Sequence, residues 1–234
     1  MKRILAVLLT VSTLSASADT YIDEQTWVNV NAFFKLGETW KAYAEWQPRF
    51  FDYSKYNGVT LHRGALGRGI GSGLSLYGGY GFMTWNTRRD SKSPAKFQHE
   101  DRYFAMLLHS HVTGNWKLTN RTRFEVRQFR RDDELGGRLR HLLRIQYRFG
   151  AGPWAIALWD EYFYNTNSTR PSRESHAPAA AAGFDQNRAF LGGAYVFGDE
   201  GQHLFETGYM NNYVDGVTRD RRAHVWMSTL ALSF

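Results

Sequence analysis

The sequence predicts an all-β fold, a transmembrane antiparallel up-and-down β-barrel that follows a cleaved signal peptide. Three observations predict it. Apolar and polar residues alternate with a period of two along most of the chain, as they do in β-strands. The first residues have the pattern of an export signal, and the last strand ends on a terminal aromatic residue, Phe234.

The N-terminal segment has the pattern of a secretory signal peptide. Lys2 and Arg3 are basic, residues 4–14 are apolar, and Ala16 and Ala18 satisfy the small-x-small rule for cleavage before residue 19. A retained anchor helix is the alternative, but the apolar run is shorter than the roughly 20 residues that a membrane-spanning helix needs. We therefore expect a signal peptide at 1–18 and one barrel domain at 19–234.

Composition narrows the class of protein. The chain has no cysteine, which excludes disulfides, lipid attachment through cysteine, and cysteine-based metal or redox chemistry. Aromatic residues make up 16% of the chain, and such residues gather at the two interfaces of membrane barrels. The formal net charge is +7, or +5 without Lys2 and Arg3. In an exported protein this charge favours anionic lipid headgroups or anionic solutes over nucleic acid.

The first two strands show the alternation most clearly. Segment 24–36 places one set of residues on its apolar face: Thr26, Val28, Val30, Ala32 and Phe34. After a tight turn at 37–39, segment 40–51 does the same with another set: Trp40, Ala42, Ala44 and Trp46. The intervening residues are mostly polar, so the two segments are expected to pair as a hairpin.

The same pattern continues to the end of the chain. Further strands are expected near 59–67, 73–85, 101–112, 116–129, 138–149, 154–165, 186–197, 202–213 and 222–234. Short Gly-containing turns alternate with longer polar stretches at 52–58, 86–100, 130–137, 166–185 and 214–221. Bacterial barrels show this asymmetry, with short periplasmic turns and long external loops.

The last strand carries a second indication of location. One face of it holds Trp226, Leu230, Leu232 and Phe234, together with Ser228. This ending resembles the C-terminal strand of bacterial outer-membrane barrels, which closes the barrel and is recognised by the assembly machinery. A soluble periplasmic β-sandwich or barrel would show the same alternation, but the signal, the terminal Phe234 and the loop asymmetry favour the membrane.

The number of segments conflicts with the usual rule. Eleven are found, whereas single-chain bacterial barrels normally have an even number of strands. We therefore predict 12 strands, with 10 as the next choice. The other explanation is a first strand that starts from an N-terminus outside the periplasm.

Arginines mark the polar faces of two consecutive strands. Segment 116–129 presents Arg121, Arg123 and Arg127, and segment 138–149 presents Arg138, Arg140, Arg144 and Arg148. Lys41 and Arg49 add to the basic character on an earlier strand. Three interpretations stay open: an anion pathway, a narrow lumen packed with interlocking Arg and Glu side chains, or arginines that face lipopolysaccharide phosphates. The acidic partners available to a packed lumen are Glu45, Glu125, Asp160, Glu161 and Glu206.

Signatures of catalysis and metal binding are weak. His109 and His111 share a strand face, but no nearby residues complete a ligand set. Asp160 and Glu161 are adjacent and so face opposite ways, and the glycines near 69–73 precede no helix, which argues against a nucleotide loop. We predict no catalytic residue, no metal site and no cofactor. An outer-membrane enzyme acting on lipid or lipopolysaccharide is kept as an alternative, which requires a Ser-His-acid cluster at the lipid-facing rim.

Several short strings carry a family resemblance. They are WQPRF at 46–50, LYGGYG at 76–81, RTRFEVR at 121–127, WDEYF at 159–163, FDQNR at 184–188 and ETGYMN at 206–211. Their order and spacing resemble the exported bacterial family called domain of unknown function 2490, over nearly the whole mature chain. The resemblance implies a small outer-membrane barrel without an established activity, and it supplies no catalytic residue.

These strings also suggest an internal network. Glu161, Arg188 and Glu206 lie on successive strands, and an arginine between two inward-facing carboxylates would form a satisfied lumen network.

The protein is expected to be a monomer in the outer membrane of a Gram-negative cell. Its expected partners are outer-membrane lipids and lipopolysaccharide, the barrel-assembly machinery and anionic small solutes. The expected role is that of a structural, plugged barrel or of a narrow, porin-like pore.

Overall fold

The computed structural model describes residues 20–86, 92, 94–130, 134–170, 179–217 and 219–234. Within these ranges the chain forms eleven strands: β1 (Thr20–Lys35), β2 (Trp40–Phe51), β3 (Tyr56–Gly71), β4 (Leu74–Asn86), β5 (Phe97–Thr113), β6 (Trp116–Phe129), β7 (Leu135–Arg148), β8 (Trp154–Asn165), β9 (Gly183–Phe197), β10 (His203–Val214) and β11 (Asp220–Ser233). No helix in these ranges is long and apolar enough to cross a membrane. The signal peptide predicted at 1–18 lies outside them.

The strands close into one barrel, in which each strand pairs with its neighbours in the chain and β1 pairs with β11. The all-β barrel predicted from the alternation is thereby confirmed, and each expected segment overlaps one strand. Several strands begin earlier than expected. For example, β5 begins at Phe97 and β9 at Gly183, so the loops between hairpins are shorter than the polar stretches suggested.

The prediction of 12 strands, all antiparallel, was wrong for the described chain. With eleven strands the first and the last run in the same direction, and β1 pairs with β11 in parallel from Thr20↔Asp220 to Phe33↔Ser233. A parallel ladder satisfies main-chain N–H and C=O groups much as an antiparallel one does. The barrel therefore closes without an even strand count.

The two ends of the barrel differ. The short turns and the C-terminus lie at one end, which we call the short-turn end, and Thr20 and the longer connections lie at the other, the long-loop end. Phe234 extends the final ladder, since its N–H donates to the Phe33 carbonyl (2.8 Å) and its carbonyl accepts from the Lys35 N–H (2.9 Å). Its ring stacks on Phe34, with 5.3 Å between centroids. The terminal aromatic is thus part of the closing seam.

The exterior of the barrel is mainly apolar. Exposed outward side chains on different strands include Leu66, Leu76, Leu107, Phe124, Leu139, Leu191, Phe205 and Trp226. The outward face of β11 carries Leu230, Leu232 and Phe234 as well. The interior holds most of the buried charged residues, among them Glu45, Arg63, Glu100, Arg102, Arg123, Glu125, Arg138, Arg140, Glu161 and Arg188. The barrel therefore presents mainly apolar side chains outside and holds most of its buried charges inside.

Apolar side chains occupy a further part of the lumen. One cluster packs Trp27, Trp159, Phe190 and Met210 together, a second packs Tyr43, Tyr77, Phe104 and Met106, and a third packs Val59, Leu61 and Met83. Two inward glycines make room for rings, because a Cβ on Gly79 would lie 2.5 Å from the Phe104 ring and one on Gly192 would lie 2.5 Å from the Phe190 ring. Alanine at either position would push a ring toward the axis.

Candidate functional site: the charged lumen

Glu125 on β6 is the centre of the charged interior. Its carboxylate is fully buried and accepts hydrogen bonds from Arg138 Nη2 (2.7 Å) and Arg140 Nη1 (2.8 Å) on β7. Among the described residues three further guanidinium groups come within 4 Å, those of Arg63, Arg102 and Arg123. These arginines start from β3, β5, β6 and β7, so one carboxylate draws side chains from several parts of the wall to a single point.

A second carboxylate, Glu161 on β8, extends this network across the lumen. Glu161 Oε1 accepts from Arg140 Nη2 and from Arg121 Nη2, each at 2.7 Å. Arg188 on β9 approaches the other oxygen at 3.6 Å. Because Arg140 also donates to Glu125, it bridges the two buried carboxylates.

Two more buried carboxylates, on β2 and β5, bind arginines in the lumen. On β2, Glu45 accepts from Arg63 Nη1 (2.7 Å) and from the Tyr43 hydroxyl (2.5 Å). On β5, the fully buried Glu100 has its own group of donors: Arg102 Nε (2.7 Å), Arg127 Nε (2.5 Å) and Trp85 Nε1 (3.0 Å). Ionised hydrogen bonds of this kind are the strong ones, and they compensate for taking the charges out of water.

Aromatic rings cover the faces of several arginines. The Arg49 guanidinium lies 3.9 Å from the ring centroid of Trp27. The buried Phe163 ring is approached by three guanidinium groups, those of Arg138, Arg140 and Arg188, at 4.5 to 5.2 Å. Cation–π contacts are worth more where water is excluded, so these rings hold the arginines in place as well as filling space.

Together these side chains form a layer across the barrel. Ion contacts run from Glu45 through Arg63, Glu125 and Arg140 to Glu161, that is, from β2 and β3 to β7 and β8. We call this layer the plug; its members are Glu45, Arg49, Arg63, Glu100, Arg102, Arg123, Glu125, Arg138, Arg140, Glu161, Phe163 and Arg188. Each of them is less than 9% exposed.

A cavity of about 360 Å³ lies on one side of the plug. Its rim includes Phe33, Ser110, Gln202 and Ser233, all close to the short turns, so it opens toward the short-turn end. Its floor includes Arg63, Arg123, Arg140 and Glu161 of the plug. We call this cavity the vestibule.

Cations outnumber carboxylates around the vestibule. The described lining has eight cations, Arg49, Arg63, Lys117, Arg121, Arg123, Arg140, Arg144 and Arg188, and three carboxylates, Glu45, Glu161 and Glu206. Glu125, directly behind the floor, offsets one more charge. A formal excess of about four positive charges therefore surrounds a space large enough for a small molecule.

The arginines predicted from the sequence all lie on the inward faces of β6 and β7. Arg123 and Arg140 are direct neighbours in the ladder between these strands. Arg123, Arg138 and Arg140 belong to the plug, and Arg127 bonds to Glu100 beside it. Arg121 and Arg144 line the vestibule, while Arg148 donates to the Gly152 carbonyl (2.7 Å) at the short-turn end.

The predicted network of Glu161, Arg188 and Glu206 forms only in part. Arg188 lies near Glu161, but Glu206 bonds to Arg144 Nη2 at 2.6 Å. Arg188 instead extends its guanidinium over the rings of Trp27 and Phe163. Asp160, considered as a lumen partner, accepts from Asn187 (3.0 Å) on the opposite face from Glu161. Sequence order along strands does not show which long side chains meet across a lumen.

Three charged lumen residues were not predicted from the sequence. Arg63, Glu100 and Arg102 are buried and bonded within the plug, although no arginine-rich segment marks them. A signal existed: Leu61, Arg63 and Ala65 share the inward face of β3, so the period of two places Arg63 inside.

The histidines noted in the sequence do not form a site in the described structure. His109 and His111 are both on the outward face of β5, next to the inward Ser110. Within the described residues no three His, Asp or Glu side chains come together in a way that would hold a metal ion.

The fold and the lumen define a class of protein: a β-barrel with a mainly apolar exterior and an interior rich in arginine–carboxylate pairs. The chain belongs to the family described as "Protein of unknown function (DUF2490)", which it matches over residues 24–223. An uncharacterized protein of Methylorubrum extorquens is 31% identical over 207 residues, covering 84% of this chain and 81% of that protein. No solved structure matches the chain.

Proposed function

We propose that this protein is an outer-membrane β-barrel whose lumen is closed by the plug, and that it serves as a membrane-embedded binding scaffold with its vestibule open to the periplasm. The observation that carries the proposal is the continuous ion-pair layer from Glu45 to Glu161, which leaves its carboxylates buried. The proposal distinguishes this barrel from a porin, in which the lumen is a water-filled channel.

The outer surface supports a membrane location. All eleven described strands have 12 to 17 residues, more than the roughly 9–11 tilted residues that cross the hydrocarbon layer. Exposed aromatic side chains stand near both ends: Trp40, Trp116 and Trp154 at the short-turn end, and Tyr21, Tyr53 and Tyr164 at the long-loop end. Aromatic girdles of this kind flank the apolar band of outer-membrane barrels.

The orientation of the barrel in the membrane is inferred from the lengths of its connections. Bacterial barrels keep their short turns in the periplasm and their longer loops outside. In that orientation the vestibule faces the periplasm and the plug separates it from the cell exterior. A ligand in the vestibule would therefore come from the periplasmic side.

Two measurements test the proposal. Membrane fractionation with a heat-modifiable gel shift is expected to place the folded protein in the outer-membrane fraction; recovery as a soluble periplasmic protein would contradict the membrane assignment. Liposomes that contain the folded barrel are expected not to swell in isotonic solutions of small sugars or organic anions. Rapid swelling, especially with anions, would instead support the narrow anion pore.

A further inference from the structure

The wall of the vestibule concentrates three cations at one place. In the β6–β7 ladder Thr119 is directly opposite Arg144, and Lys117 and Arg121 lie two residues to either side of Thr119 on the same inward face. Side chains at such positions are within reach of one another. Thr119 is thus the neutral centre of a cationic triangle.

The two arginines of the triangle keep donors available to a ligand. Arg121 uses Nη2 for Glu161 (2.7 Å), and Arg144 uses Nη2 for Glu206 (2.6 Å) and Gln146 (3.0 Å). Both side chains are about one-fifth exposed, at 23% and 20%. A guanidinium has five N–H donors, so each can bind a second anionic group from the cavity side.

The floor of the vestibule adds a further cation, one inward position deeper than Arg121. Arg123 is 1% exposed and hydrogen-bonds through Nη2 to the Met106 sulfur (3.2 Å). Its Nε and Nη1 make no hydrogen bond to any described residue, and the nearest carboxylate oxygen, of Glu125, is 3.6 Å away. Arg123 lies outside the triangle, and its charge adds to the attraction of the whole vestibule for anions.

Apolar side chains also line the vestibule. Phe33, Leu204, Met227 and Ala231 lie on the facing strands β1, β10 and β11, and Leu108 and Leu142 are the ladder neighbours of Arg121. The site thus offers cations together with hydrocarbon, both beside the triangle and on the facing wall. Inorganic ions match only half of this lining, whereas a small organic anion matches both halves.

We propose that the vestibule is a binding site for a small organic carboxylate with an apolar body, whose carboxylate lies at Thr119 between Lys117, Arg121 and Arg144. This deepens the proposed function and rests on it for the compartment that the site faces. The cavity volume of about 360 Å³ suits a molecule the size of an aromatic or short aliphatic acid.

The test uses the full barrel in zwitterionic nanodiscs and isothermal titration with benzoate, benzamide and inorganic phosphate. Benzoate is expected to bind in the cavity with an affinity that falls as salt rises. Benzamide, which has the same ring without the charge, is expected to bind at least about tenfold more weakly. Phosphate is also expected to bind more weakly than benzoate. Equal or tighter binding of either comparison ligand would overturn the assignment.

A matched pair of variants locates the site. Thr119→Glu puts a carboxylate at the centre of the triangle, where it pairs with the three cations and is expected to weaken benzoate binding about tenfold or more. Thr119→Gln fills the same space as the glutamate without its charge, and it is expected to bind benzoate about fivefold or more tightly than Thr119→Glu does. Equal benzoate affinities in the two variants would overturn the proposal.

A second variant covers the case in which Thr119→Glu does not fold. Lys117→Gln changes an exposed rim residue and is expected to weaken benzoate binding about threefold to tenfold; an unchanged affinity would contradict the assigned position. These titrations are independent of liposome swelling. Swelling with intact benzoate binding refutes the closed lumen alone, and a closed barrel that does not bind benzoate refutes the site alone.

Discussion

The plug and the vestibule are built from the same two residue types with opposite results. In the plug, Glu125 is fully buried and has five guanidinium groups within 4 Å among the described residues. In the vestibule, Glu206 pairs with one described cation, Arg144, which is 20% exposed. Glu125 gathers long side chains from four strands at one point of the lumen, whereas Glu206 holds a single pair between β10 and β7.

The origin of the arginines explains this difference. Arg63 on β3 and Arg140 on β7 start four strands apart around the barrel, and both reach Glu125. Arg144 and Glu206 also lie on different strands, but no further cation is within ion-pair distance of Glu206 in the described structure. The two regions therefore differ in the number of cations that converge on each carboxylate.

The same substitution in the two regions gives the largest expected contrast. Glu125→Gln leaves five arginines around a neutral group and is expected to lower the free energy of unfolding by about 3–5 kcal/mol. Glu206→Gln removes one pair with a partly exposed partner and is expected to cost about 1 kcal/mol. Urea unfolding in detergent, followed by the heat-modifiable gel shift, measures both. Equal losses would show that the two regions are energetically alike.

Aromatic substitution is expected to give a smaller contrast. Phe163→Leu removes a buried ring that three arginines of the plug contact, and it is expected to cost about 2 kcal/mol. Phe33→Leu changes a half-buried ring in the vestibule and is expected to cost less than about 1 kcal/mol. The same unfolding assay compares them. A larger loss at Phe33 would reverse the ranking of the two regions.

The smallest effect on stability is expected at Tyr43, at the boundary between the plug and the vestibule. Tyr43 is buried, lines the vestibule and donates its hydroxyl proton to Glu45 of the plug (2.5 Å). Tyr43→Phe removes that hydrogen bond while Arg63 still pairs with Glu45, so the expected loss is about 1 kcal/mol. Tyr103→Phe, on an exposed outward ring, serves as the control and is expected to change stability by less than about 0.5 kcal/mol. No difference between the two variants would mean that the Tyr43 hydroxyl does not support the plug.

The local pattern of the sequence was sufficient to predict most of the barrel. Alternation along segments such as 40–51 and 116–129 located the strands and put Arg49, Arg123 and Glu125 on inward faces. Alternation reports which face a residue occupies but not which strands meet at closure. The parallel β1–β11 seam was missed for that reason. The alternation itself gave eleven segments, and the rule of an even strand count led to the wrong prediction of 12.

The candidate site was harder to predict, because long side chains meet across the lumen. Glu125 was recognised as an available partner, but its position among arginines of β3, β5, β6 and β7 depends on barrel curvature and side-chain length. The pairing of Glu206 with Arg144 rather than Arg188 has the same cause. The vestibule is the part of the lumen that these long side chains leave empty. A local sequence pattern does not predict its position.

Planar-bilayer recording tests the plug most directly. The unmodified barrel is expected to give no discrete current steps. The variant Arg63→Ser, Glu125→Ser and Arg140→Ser removes the centre of the plug and is expected to give steps with anion selectivity, because cations still exceed carboxylates along the lumen. Arg68→Ser, on the exposed outer face of β3, is the control and is expected to stay silent. Steady current through the unmodified barrel, equal to that of the triple variant, would contradict a closed lumen.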